Sequence, residues 1–229
     1  MVLKRFTLVP VLLMLAGCNI TVLNPKSATG KDQAFLIWFS FGLMLIVLLV
    51  VFFLFFRFVA TYRYTDKKAN FIPEDVHGNK WLELTWTILP ILLLIVLAVP
   101  TVAITYNQSP ISEVLKKDEA VQIEVEAQQY QWTFTHEGGK TSNQALVIPE
   151  GKTIRLQLKS KDVIHSFWVP ALGGKVDVMP HKDLYYEIKN PEVGTYHGKC
   201  AEYCGLEHAK MIFTAKVVTE EAYEQYVKE

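Results

Sequence analysis

An excess of charge of either sign is missing from this sequence. Lysine and arginine total 23, aspartate and glutamate also 23, and the formal net charge is zero. No basic run or nucleic-acid motif occurs, so a surface that neutralises a phosphate backbone with clustered Lys and Arg is excluded. Cysteine is scarce as well: three residues leave room for one pairing at most. Internal repeats and low-complexity segments are absent, which removes solenoids and tails from consideration.

Charge is also absent from two whole stretches. Ala34 to Phe56 runs 23 residues without an ionisable group, nearly all Leu, Ile, Val and Phe, and Leu84 to Gln108 is a second such run with Pro90 and Pro100 inside it. Each is long enough to cross a hydrocarbon core as a helix. A buried core helix of a soluble protein rarely runs so far without a polar face. Proline is tolerated in such spans because neighbouring helices satisfy the freed carbonyls. Between the runs, Arg57, Arg63, Lys67, Lys68 and Lys80 outnumber Asp66, Glu74 and Asp75. Basic residues near span ends favour the cytoplasmic side, which puts both termini outside.

The N-terminus agrees with export. Lys4 and Arg5 precede an apolar run from Phe6 to Ala16 that is too short to span, as in a secretory signal peptide. It closes on Leu15-Ala16-Gly17-Cys18, which resembles the lipobox of bacterial lipoproteins, whose cysteine is lipidated; the alternative is a plain export signal with a chance cysteine. If Cys18 is lipidated, Cys200 and Cys204 are the only thiols of the exported part. Neutrality also hides an asymmetry. Residues 107–229 carry 14 Lys and Arg against 18 Asp and Glu, a balance of −4, while residues 1–106 carry +4. A mildly acidic exported domain favours a basic partner through long-range steering, or is a solvated face only.

After Tyr106 the pattern changes to alternation. Val121 to Ala127 places apolar and polar side chains on opposite faces, as a half-buried strand does. Tyr130–Thr135, Ala145–Ile148, Thr153–Leu158, Val163–Val169, Leu184–Ile188 and Ile212–Val218 continue it, with Gly and Pro as punctuation. Short strands at this density predict a β-sandwich or barrel. Glu220–Lys228 reads as a terminal helix with Thr219 as its N-cap.

Near the C-terminus stands Cys200-Ala-Glu-Tyr-Cys204-Gly-Leu-Glu-His208-Ala-Lys-Met211, with His165 thirty-five positions before Cys200. Two thiols, two imidazoles and a thioether are the soft and borderline donors that copper prefers. Spacings of four, four and three let one tight loop aim all four side chains inward, and His165 must come from another strand. A Cys200–Cys204 disulfide is one reading of an exported pair, but leaves His165, His208 and Met211 without a role. A closed Cys2His2 zinc site does not call for Met211. A mononuclear blue-copper site leaves one thiolate over. A dinuclear copper centre uses every donor. His77, His136, His181 and His197 read as ordinary polar or structural residues.

The Cys-x-Glu-x-Cys-x-x-x-His-x-x-Met run with His165 upstream resembles the CuA motif of subunit II of haem–copper cytochrome c oxidases, of the bacterial lipoprotein type. The resemblance covers nearly the whole mature chain. It implies a transmembrane helical hairpin followed by an all-β cupredoxin-like Greek-key sandwich. The expected division is a signal peptide at 1–17, an exported segment at 18–33, the hairpin at 34–106 with a cytoplasmic loop near 57–80, a linker at 107–118, the cupredoxin domain at 119–219 and a C-terminal helix at 220–229. By the resemblance, Cys200 and Cys204 bridge two coppers, His165 and His208 each bind one, and Met211 and the backbone carbonyl of Glu202 are weak ligands. The Glu202 side chain is similar in position to the family's Mg2+ ligand at the contact with subunit I, a role apt for a carboxylate; otherwise it is a solvated loop acid. Tyr130-Gln131-Trp132-Thr133-Phe134 resembles the family's aromatic segment, which implies an exposed Trp132 that receives the electron from cytochrome c. On the residues alone Trp132 is a core aromatic. Glu83, at the start of the second span, matches a glutamate at the mouth of a proton pathway, or merely sits in water. Asp177 falls near a position associated with cytochrome c docking.

The chain carries Pro180-His181-Lys182 where many relatives have Pro-Gly-Arg, and it reaches Glu229 without the C-x-x-C-H of a fused cytochrome c. The expected donor is therefore a separate cytochrome c, and the expected partners are subunits I and III and membrane lipid. The implied activity is that of a proton-translocating oxidase in a bacterial cell membrane, with this chain carrying electrons only and its copper domain on the outer face. Two readings compete with it. A quinol oxidase subunit II is expected to have lost the copper ligands, all of which are kept here. A lone lipid-anchored copper module has no need of two spans with Glu83 at a boundary.

Overall fold

The computed structural model describes residues 20–66, 72, 75, 77–109 and 120–229. The signal peptide, Cys18, Lys67, Lys68, Glu74 and most of the expected linker lie outside the described residues. The chain divides into two compact units: the residues up to Lys31 with Ala120–Glu229, and Asp32–Glu119.

The second unit holds two long helices, α1 (Ala28–Tyr62), whose first turn belongs to the other unit, and α2 (Lys80–Gln108). Both are long and apolar enough to cross a membrane, and none of their most apolar stretches is buried within the chain. At 1.5 Å per residue, the 35 residues of α1 reach about 52 Å, well beyond a hydrocarbon core of about 30 Å. Both helices therefore start before the apolar runs do, because their polar first turns are capped. Asn79 accepts from the backbone N–H of Trp81 (3.0 Å) and Leu82 (3.3 Å) at the start of α2. Ser27 accepts from Gly30 (2.9 Å) at the start of α1. Pro90 and Pro100 stand inside α2.

The chain entering α1 is fastened to the β-rich unit. Lys26 donates its N–H to the Ala171 carbonyl (2.7 Å) and the Ser27 hydroxyl donates to that of Leu172 (2.5 Å). Ser27 and Thr29 are buried there.

Among the described residues, ten strands form two five-stranded sheets. They are β1 (Val121–Gln128), β2 (Gln131–His136), β3 (Thr141–Asn143), β4 (Ala145–Pro149), β5 (Thr153–Ser160), β6 (His165–Trp168), β7 (Val176–Val178), β8 (Leu184–Lys189), β9 (Gly194–Cys200) and β10 (Ile212–Val218). One sheet runs β3-β2-β1-β5-β8, the other β4-β10-β9-β6-β7. Neighbours are antiparallel except for β1 with β5 and β4 with β10. Alternation supplies the core: Ile123, Val125 and Ala127 of β1 face Trp132 and Phe134 of β2 and Phe213 of β10 in one buried cluster. Three strands are too short or too polar to carry a sustained alternating signal. β3 (Thr-Ser-Asn), β7 (Val-Asp-Val) and β9 (Gly-Thr-Tyr-His-Gly-Lys-Cys) are placed by pairing with better-patterned neighbours. Gly198 of β9 lies under the Phe213 ring, which any Cβ there would meet. The last helix, α3 (Glu220–Lys228), has Thr219 as N-cap, accepting from Ala222 N–H at 3.4 Å.

Candidate metal centre

The ligand loop is the long connection between β9 and β10. Its base is closed where Cys200 N–H donates to the Met211 carbonyl (2.9 Å), and Ala201 N–H donates to the Ser166 carbonyl (2.9 Å), tying the loop to β6. Cys200 ends β9, Met211 directly precedes β10, and His165 opens β6 beside β9. The backbone alone thus brings three separated donors to one end of one sheet. Cys204 and His208 lie inside the loop. Gly205 permits its turn with φ +130, and a Cβ there would stand 2.6 Å from the Tyr130 hydroxyl.

Six expected donors converge. From Cys200 Sγ the distances are 3.8 Å to Cys204 Sγ, 3.9 Å to His165 Nδ1 and 3.2 Å to the Glu202 carbonyl. From Cys204 Sγ they are 3.6 Å to His208 Nδ1 and 3.7 Å to Met211 Sδ. Both cysteines are free thiols, and 3.8 Å is nearly twice a disulfide bond of ~2.05 Å. The spacing has a simple meaning. Sulfur and nitrogen bound to one tetrahedral ion at ~2.3 and ~2.0 Å lie about 3.5–3.8 Å apart. The donor atoms of His165, Cys200 and Cys204 all lie within 4.8 Å of one another, and all three residues are buried. Soft sulfur, imidazole nitrogen and a dry setting fit a soft or borderline ion.

Electrostatics distinguish the two thiols. Burial alone raises the pKa of Cys200, but the hydrogen bond with His165 and backbone contacts at Glu202 and Ser166 outweigh it, and the net shift is downward. Burial and then the charge on Cys200 push Cys204 upward. Without an ion, the pair holds a first negative charge on Cys200 and resists a second.

Other expected residues lie elsewhere. Trp132 is not an exposed indole: it is 0% exposed, and β2 alternation turns it inward with Phe134 while Gln131, Thr133 and Thr135 face out. Its ring meets His165 edge-on at 6.2 Å and Phe213 at 5.4 Å, so it backs the site from the core. The large exposed side chains of the loop are Tyr203 (72%) and Leu206 (95%). The Glu202 carboxylate is partly exposed and pairs with Lys175 at 3.5 Å. Glu83 is exposed in the first turn of α2. Asp177 pairs with Ser166 across β7 and β6. His77, His181 and His197 are exposed, whereas His136 is buried against Tyr223. Two residues near the ligands were not anticipated. Asp162 contacts the His165 ring, and Gln129 donates to the Cys204 carbonyl. The Asp-x-x-His spacing at Asp162 is the only trace of this in the sequence.

Comparison with known proteins decides the family. Residues 140–218 match the family model "Cytochrome C oxidase subunit II, periplasmic domain", and residues 17–104 match "Cytochrome C oxidase subunit II, transmembrane domain". The chain belongs to the cytochrome c oxidase subunit II family. It is therefore a membrane protein with two apolar helices and a cupredoxin-like β-sandwich. It is 40% identical over 94% of its length to "Cytochrome c oxidase subunit 2" of Alkalihalophilus pseudofirmus, covering 65% of that protein. It is 35% identical over 99% of its length to "Quinol oxidase subunit 2" of Bacillus cereus, covering 79% of it. The chain thus spans just under two thirds of the cytochrome c oxidase relative. The periplasmic domain of subunit II of cytochrome oxidase from Bradyrhizobium japonicum is 27% identical, with a TM-score of 0.46, over 49% of this chain and 94% of that one.

Proposed function

We propose that the chain is the electron-accepting subunit of a terminal oxidase, taking electrons singly from cytochrome c and passing them to the haem of subunit I, where O2 is reduced to water. The observation that carries this is the convergence of two thiols, two imidazoles, a thioether and a carbonyl at ligand-to-ligand spacing. Cys200 and Cys204 would be the thiolate ligands of a copper pair, His165 and His208 its imidazole ligands, and Met211 and the Glu202 carbonyl its weak ligands. Such a centre would supply one-electron exchange with little bond rearrangement, because the charge would be spread over two ions. The chain's own part is to hold the donors rigid and dry. Trp132, Phe167 and Phe213 do this from the core side, with Phe167 and Phe213 stacked at 5.1 Å.

Tyr203 and Leu206 provide an apolar landing for cytochrome c above the ligands, and the acidic balance of residues 107–229 steers a basic partner toward it. This replaces Trp132 as the docking surface. The Glu202 carboxylate is the proposed Mg2+ ligand at the subunit I contact, where the ion would displace Lys175. Glu83 is the proposed mouth of a proton pathway. The proposed setting is a bacterial cell membrane crossed twice, with Cys18 lipidated and the β domain on the outer face, assembled with subunits I and III.

One observation favours a second reading: several relatives at 35% identity are named quinol oxidase subunit 2. Turnover of the purified complex separates the two. Oxidation of reduced cytochrome c, lost on Cys200→Ser, is the expected result. Oxidation of quinol alone, unchanged in that variant, contradicts it.

A further inference from the structure

The geometry points to Asp162 and Gln129 as positioning residues that form one brace behind the donor set, fixing the ring of His165 and the carbonyl of Cys204 to the same turn. The inference rests on the proposed metal reading of the site. His165 is fully buried and presents its two nitrogens to different partners. Nδ1 faces Cys200 Sγ at 3.9 Å, and Nε2 lies 2.7 Å from Asp162 Oδ1. A carboxylate only accepts, so Nε2 carries a proton, and Nδ1, on the Cys200 side, is the nitrogen turned toward a metal. Without that partner the ring could flip or change tautomer.

Asp162 is itself immobilised. Its Oδ2 accepts from Gln129 N–H (2.7 Å), its Oδ1 accepts from Val163 N–H (2.7 Å), and the Ser160 hydroxyl stands 3.5 Å from Oδ1. Gln129 then reaches the other half of the site, because its side-chain amide donates to the Cys204 carbonyl at 2.6 Å. It lies in the turn between β1 and β2, in one sheet, whereas His165 and Cys200 belong to strands of the other. One residue thus ties the opposite sheet to both the histidine on β6 and the ligand loop. Gly205 leaves the space for this contact, since a Cβ there would stand 2.9 Å from Gln129 Nε2.

The competing role for Asp162 is to hold its own turn and nothing more. Full-length chain in detergent distinguishes the two by three readouts on wild type, Asp162→Asn, Asp162→Ala and Gln129→Ala. These are copper retention against a chelator, histidine hyperfine coupling in the copper-loaded chain, and the imidazole 15N tautomer in the copper-free chain. Asp162→Ala is expected to weaken copper binding about 10–100-fold, to alter the hyperfine coupling and to lose the Nε2–H tautomer. Asp162→Asn keeps a single acceptor oxygen, so either the Gln129 N–H or the pair of Val163 N–H and the His165 ring loses its partner; it is expected to show a shifted hyperfine coupling. Gln129→Ala should keep the tautomer and lose copper faster. An Asp162→Ala chain with wild-type tautomer, coupling and retention overturns the brace, as does an Asp162→Asn chain identical to wild type in all three. If wild type takes up no copper but only Asp162→Ala loses the tautomer, the metal reading fails and the brace stands.

Discussion

The donor side chains at the centre are carried by several backbone devices. His165 opens a strand, Cys200 ends one, Met211 precedes one, and Cys204 and His208 lie on the turn that Gly205 permits. A residue's role therefore depends on which face of its strand it takes, and Trp132 shows the consequence. It shares parity with Phe134, so its indole fills the core beneath His165 with no partner for its N–H among the described residues. Trp132→Ala should cost about 3–5 kcal/mol in a denaturant titration, as truncation of a fully buried aromatic does. Trp132→Phe should leave the KM for cytochrome c unchanged. Leu206→Ser should raise that KM severalfold with the metal signature intact, because only the landing surface is altered. The donor set was legible because metal chemistry restricts both residue type and spacing. The burial of Trp132 was equally legible in the polar-apolar alternation of residues 131–135, and an aromatic motif matched by resemblance pointed the other way. Asp162 and Gln129 were not legible, because their roles depend on contacts between sheets.

Seven of the ten strands and the last helix follow from local pattern, since alternation and an N-cap are encoded in neighbouring residues. β3 is polar, β9 carries two glycines and β7 has only three residues, so each gains its form from partners and the local signal is too weak to mark it. The seat of α3 is likewise a tertiary feature. His136 Nδ1 stands 3.3 Å from the Tyr223 hydroxyl, its ring meets Tyr226 edge-on at 5.3 Å, and Lys140 lies over the Tyr226 ring at 5.2 Å. Burial and then the charge of Lys140 lower the His136 pKa from 6.5 to about 4, and burial followed by Glu137 raises that of Tyr223 to about 12. Tyr223 thus stays protonated beside a neutral His136, and the two share one hydrogen bond. Between pH 6.5 and 4 the unfolded chain binds a proton here that the folded chain refuses. The contribution of His136 is therefore intact above pH 6.5 and falls with acid by up to about 3 kcal/mol. Hydrogen-exchange protection of residues 220–228, corrected for intrinsic rates, should drop between pH 7 and 4.5. His136→Phe should flatten that dependence.

The whole chain combines two apolar helices with a β domain whose donors, on the proposed reading, are useful only where a soluble electron carrier reaches them. Basic residues between the helices, with Arg57 and Arg63 at the end of α1, predict that this connection faces the cytoplasm. Protease added to intact cells whose outer layers have been removed should cleave the β domain and spare the 63–79 segment; the reverse pattern would invert the proposed topology. The central claim is that six donors hold a pair of coppers that accepts one electron. Metal analysis combined with electron paramagnetic resonance of the purified, copper-loaded chain tests it most directly. Two coppers per chain sharing a single unpaired electron are expected, both lost in Cys204→Ser. One copper per chain, a silent zinc protein or a Cys200–Cys204 disulfide would contradict it.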